Sequence, residues 1–132
     1  MNEKKKVFIA DDDEAVLNSL KKMLDLSGFE VETAQDANQV LPKIKAFKPH
    51  ILLLDLLMPH LGGFDICEMI NKEKDIKGIP IIIISALRGY TDIKRAYQLG
   101  VIGYVTKPYD FNKLLDKINK AINMKRAGRS ED

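Results

Sequence analysis

The sequence predicts an α/β domain: a (βα)5 doubly wound sheet of parallel strands. Three observations lead there. Short runs rich in β-branched residues alternate five times with longer segments of helical period. Three of the short runs are apolar throughout, as suits parallel strands buried on both faces. Gly28 and Gly100 fall where helical segments would stop. At 132 residues the chain fits one ordinary domain, able to bury about two-thirds of the surface its unfolded form exposes, so no cross-link is required.

The first strand is expected at 6–10, followed by a helix in which Val16, Leu20, Met23 and Ser27 share one face. The second strand, 30–34, leads into a helical stripe of Val40, Leu41, Ile44 and Phe47. Pro42 lies inside that segment, where it removes a backbone hydrogen bond at a cost of about 3 kcal/mol, so a kink or a late helix start is expected. A third strand at 51–54 precedes a weaker helix over 64–73, and a fourth at 79–84 precedes another over 91–99. The fifth strand, 102–105, feeds a helix with Phe111, Leu114, Leu115, Ile118 and Ile122 on one face. Alternating strands and helices joined by right-handed crossovers give an open parallel sheet covered on both sides. The domain is expected to span 1–124, with the polar stretch 125–132 a solvated tail or the stub of a linker.

Composition narrows the function. Lys plus Arg (21) nearly balances Asp plus Glu (19), leaving a formal charge of +2 and no broad field that would draw nucleic acid or an anionic membrane. No apolar run approaches the ~20 residues that span a bilayer, and the short apolar run after the charged N-terminal residues does not make a signal peptide. The single cysteine, Cys67, reads as a small buried thiol in a reducing compartment, which points to the cytoplasm.

In sheets of this kind ligands bind beyond the carboxyl ends of the strands, so the residues that follow each apolar run matter most. They are Asp11, Asp12 and Asp13 after the first strand, Asp55 after the third, Ser85 after the fourth, and Thr106 and Lys107 after the fifth. Asp13 suits a helix N-cap, but one helix start cannot use three carboxylates. If Asp11, Asp12 and Asp55 converge, each like-charge pair at about 4 Å costs on the order of 4 kcal/mol at an effective dielectric of 20, and one lysine cannot offset them. Raised carboxylate pKa values or a bound divalent cation would resolve the conflict. Hard oxygen donors on a partly open site favour Mg²⁺, with Mn²⁺ as a possible substitute. A cation there also suits Asp55 to attack a phosphoryl donor, which makes phosphoryl transfer to Asp55 the expected reaction. His60, in the MPHLGG segment, reads as a loop residue.

The fragments IADDDE, ILLLDLLMP, IIIISA and GYVTKP, in this order and spacing, resemble the receiver domains of bacterial two-component response regulators over almost the whole chain. The resemblance implies a flavodoxin-like strand order 2-1-3-4-5. It implies that Asp11 and Asp12 form the acidic pair that holds the metal, Asp12 more directly, with the Leu57 carbonyl completing the shell. It makes Asp55 the phosphoacceptor, Ser85 the hydroxyl residue that bonds a phosphoryl oxygen, Lys107 the lysine that pairs with another, and Tyr104 the aromatic switch residue. It also implies a cis bond between Lys107 and Pro108, and a signalling face formed by the fourth helix, fifth strand and fifth helix.

The partners so implied are a sensor histidine kinase or histidine phosphotransfer protein, and a downstream target or a missing output domain. Neither nucleic acid nor membrane is expected as a direct partner of this domain, and homodimerisation on phosphorylation is common in the family it resembles. Two features depart from the family pattern: Gly62 stands where an acidic residue is common, and Leu57 and Leu87 flank the path of the hydrolytic water. Competing readings fare worse. A haloacid-dehalogenase-type phosphatase would need an aspartate at position 57, and a nucleotide or flavin binder would need a phosphate loop where three aspartates stand. A receiver fold kept only as an interaction module would not need Asp55, Ser85 and Lys107 together.

Overall fold

The computed structural model describes residues 3–130, with side chains through residue 124. Five strands, β1 (Lys6–Ala10), β2 (Glu30–Ala34), β3 (Ile51–Leu54), β4 (Ile81–Ser85) and β5 (Gly103–Thr106), form one sheet in the order β2-β1-β3-β4-β5. All four pairings are parallel. Helices α1 (Glu14–Leu26), α2 (Ala37–Phe47), α3 (Gly63–Lys72), α4 (Tyr90–Gln98) and α5 (Phe111–Ser130) connect or follow them. Helix α5 runs past residue 124, where the sequence places the end of the domain.

The strict alternation of side chains along each strand divides the core in two. Val7, Ile9, Ile51, Leu53, Ile82 and Ile84 pack under α1 and α5, whereas Phe8, Ala10, Leu52, Leu54, Ile81 and Ile83 pack under α2, α3 and α4. The three central strands are therefore buried on both faces, which is why they read as unbroken apolar runs. Strand β4 starts at Ile81 instead of at 79: Pro80 has no N–H to give the ladder, and its carbonyl accepts from the Leu52 amide at 2.9 Å.

Helix α1 differs from the expected facing. Leu17, Leu20 and Leu24 are buried, while Met23 and Ser27 are exposed and Val16 only half-buried. The helix carries apolar residues on two adjacent stripes, and the one with three leucines fills the core. Ser27 instead closes the helix, its hydroxyl donating to the Met23 carbonyl at 2.9 Å. Helix α2 does not start late: Asp36 caps it by accepting the Asn38 amide at 2.9 Å, and Pro42 is accommodated inside the helix. Its buried positions are Ala37, Val40 and Ile44, on the expected stripe.

Candidate functional site

The register of the sheet builds the site. Ala10 lies opposite Leu54, so the next residues on each chain, Asp11 and Asp55, leave the sheet side by side. The ladder continues one step beyond the strands, with the Asp55 amide donating to Ala10 at 2.9 Å and the Lys107 amide to Ser85 at 2.9 Å. Asp11, Asp55 and Ser85 are all buried, yet each is hydrogen-bonded.

Asp11, Asp12 and Asp55 each offer a carboxylate oxygen within 4.8 Å of the others, with Asp12 the exposed member. Lys107 donates to Asp11 Oδ2 at 2.8 Å and to Asp55 Oδ2 at 3.1 Å. Asp55 Oδ1 accepts the Leu57 amide at 3.0 Å, and Asp11 Oδ1 accepts the Asp13 amide at 2.9 Å. Asp13 stands apart as the cap of α1, accepting from Ala15 and Val16. Burial pushes the Asp55 carboxyl above its ordinary range; the Leu57 amide and Lys107 oppose the shift, and Asp11 adds to it. Burial also works against the Lys107 ammonium, but its bonds to Asp11 and Asp55 outweigh that, and its pKa is raised.

Three carboxylates meet one ammonium here, so the cluster is under-neutralised. Its donors are hard oxygens, one of them solvent-facing, and this set suits a small divalent cation that keeps some of its waters.

Ser85 ends β4 with its hydroxyl accepting the Leu87 amide at 3.3 Å. The Tyr104 hydroxyl donates to the Leu87 carbonyl at 2.7 Å, so Leu87 joins the serine to the half-buried tyrosine through its two backbone groups. Burial raises the Tyr104 phenol above its ordinary value. The bond between Lys107 and Pro108 is cis, as the resemblance implied. His60 is exposed in the loop after β3 with φ 73, outside the carboxylate cluster. Cys67 is buried in the core, which pushes its thiol up to about 11, a packing residue instead of a reactive one.

Two residues escaped the sequence reading. A Cβ on Gly63 would fall 2.7 Å from the Leu56 Cα and 2.8 Å from the Asp55 carbonyl oxygen, so only glycine lets α3 start against the backbone that carries Asp55. The paired glycines at 62 and 63 were the available signal. Arg88 donates to the Lys107 carbonyl at 2.8 Å, and an exposed arginine in a loop gives no pattern from which that bond could be foreseen.

The fold has counterparts among known proteins. Residues 7–119 match the family model of the response regulator receiver domain. A probable transcriptional regulator of Galdieria sulphuraria is 36% identical over 118 residues, covering 89% of this chain and 45% of the relative. Response regulator RR06 of Streptococcus pneumoniae is 33% identical over 116 residues, 88% of this chain and 52% of its own length. The chain thus spans about half the length of the curated relatives it matches. The crystal structure of a CheY-like response regulator receiver domain protein from Methanospirillum hungatei superposes with a TM-score of 0.89 at 28% identity, covering 96% of this chain and 99% of that one.

Proposed function

The chain belongs to the response regulator receiver domain family of two-component signalling, and from that premise we propose that it is a phosphorylation switch in which Asp55 is the phosphoacceptor. The observation that carries this reading is the buried Asp55 carboxylate, held at 3.1 Å from Lys107 within a cluster of acidic oxygens. Asp11, Asp12 and Asp55, with the Leu57 carbonyl, would hold Mg²⁺, or Mn²⁺ in its place. When bound, the cation supplies charge neutralisation at the phosphoryl oxygens. An Asp55 carboxylate oxygen forms the new bond to phosphorus as the bond from phosphorus to the donor breaks, and the donor group departs with that electron pair. Lys107 already points at this carboxylate and pairs with the transferred group; the Ser85 hydroxyl is the second protein partner.

Transfer replaces the single charge of the Asp55 carboxylate by a larger group carrying about −1.5 to −2 of charge, judging by phosphorylated hydroxyl side chains. Ser85 and Tyr104 share the Leu87 backbone, so a movement of Ser85 toward the new group reaches Tyr104 and the face of α4, β5 and α5. Moving such an equilibrium from 1:99 to 99:1 takes about 5.5 kcal/mol of differential stabilisation. The donor is a histidine kinase or phosphotransfer protein, the receiver of the signal a protein target or an output domain, and the compartment the cytoplasm. No helix among the described residues is long and apolar enough to cross a membrane. The chain acts as a phosphoacceptor that assists its own modification, not as an enzyme that turns over separate substrates. We place the domain at 1–124, with 125–132 as a tail or linker.

Leu57 is exposed and Leu87 half-buried, and neither side chain can orient water for hydrolysis of the acyl phosphate. Self-dephosphorylation is therefore slow, and Leu57→Asn with Leu87→Glu shortens the phosphoryl half-life; an unchanged or longer half-life in the double variant contradicts this. The reading as a whole is tested by intact mass after incubation with acetyl phosphate and Mg²⁺. A gain of about 80 Da is expected, absent without the metal and absent in Asp55→Asn. No gain in the folded wild type overturns chemistry at Asp55 with this donor.

A further inference from the structure

The loop from Ala86 to Gly89 is tied both to β5 and to the residue just past its end. Tyr104 holds the Leu87 carbonyl, and the next residue, Arg88, reaches across to donate from its guanidinium to the Lys107 carbonyl at 2.8 Å. The Lys107 amide in turn donates to the Ser85 carbonyl at 2.9 Å. Lys107 is therefore gripped at both backbone groups by the one loop that begins at Ser85, while its ammonium bridges Asp11 and Asp55. The Lys107 amide makes the last step of the sheet ladder, one residue past Thr106, and the Arg88 bond anchors the carbonyl side of the same residue.

We propose that Arg88 is a positioning residue: by holding the Lys107 carbonyl it fixes where the lysine side chain starts, and it ties that lysine to the movement of the Ser85 loop. The guanidinium suits the task because it stays charged, and a charged donor makes a stronger bond to a neutral carbonyl than a neutral one would. This inference rests on the proposed role of Asp55 and Lys107 for its effect on phosphorylation, but not for its effect on Lys107 itself.

The test therefore reads both. In wild type, Arg88→Ala and Arg88→Lys, amide hydrogen exchange at Lys107 is measured by NMR without phosphate donor, alongside the phosphorylation rate of Asp55 over a range of acetyl phosphate concentrations. Arg88→Ala is expected to speed exchange at Lys107 about tenfold while the Ile83 amide inside β4 is unchanged. The maximal phosphorylation rate falls about threefold to tenfold with little change in the half-saturating donor concentration, and Arg88→Lys recovers much of both. Unchanged exchange at Lys107 overturns the proposal whatever the rate does. Faster exchange with an unchanged maximal rate also overturns it, as does a loss confined to the half-saturating concentration, which would make Arg88 a donor-binding residue. If wild type takes no phosphoryl group, the phosphoacceptor reading fails, and the exchange comparison alone decides whether Arg88 positions Lys107.

Discussion

Asp55 sits where burial resists its charge, and that has a consequence for stability. Its pKa in the folded chain is raised, so the folded state holds the proton more tightly than the unfolded state does. Below the ordinary carboxylate range both states are protonated and nothing is lost; as pH rises through the raised folded value, the cost of the buried charge appears and persists to neutrality. Without divalent cations, Asp55→Asn is therefore expected to melt above wild type at pH 7, with the gap closing below about pH 4. Mg²⁺ should raise the melting temperature of wild type more than that of the variant. Equal melting curves across this range would refute the cost assigned to burying the Asp55 charge. Gly63→Ala is expected to cost about 1–3 kcal/mol in chemical denaturation, because the new methyl meets backbone that cannot move freely. The acidic residues and Lys107 were legible in the sequence because they follow strands; Gly63 and Arg88 were not, since close approach to a carbonyl leaves no periodic trace.

Among the helices, α4 is the least anchored. It buries only Ala96, whereas α1 buries Leu17, Leu20 and Leu24, and α3 buries Gly63, Ile66, Cys67 and Ile70. Polar and cation–π contacts hold it to α3 instead: the Arg95 guanidinium lies 4.2 Å from the Phe64 ring centre, and Asn71 donates to the Leu99 carbonyl at 2.9 Å. Amides of α4 are expected to exchange at least about tenfold faster than those of α1 and α3, through local opening. Exchange of α4 at the rate of global unfolding would show that it is not the mobile element. The same shortage of buried residues made this helix weak in the sequence. Helix α1 misled for the opposite reason: with apolar residues on two neighbouring stripes, periodicity cannot choose between them, and the packing of leucines against Val7, Ile9 and Leu53 does.

For the molecule as a whole, strand order could not be read from hydrophobic patterning; it followed from resemblance, and the sheet has it. That order places β1 and β3 as neighbours in the middle, which is what gathers Asp11, Asp12 and Asp55 at one end and sets Lys107 over them. The site of phosphorylation is read by peptide mass spectrometry after borohydride reduction, which converts an aspartyl phosphate to homoserine. Homoserine is expected at position 55 and aspartate still at 11 and 12; homoserine at any other position, or at none, would contradict phosphorylation of Asp55.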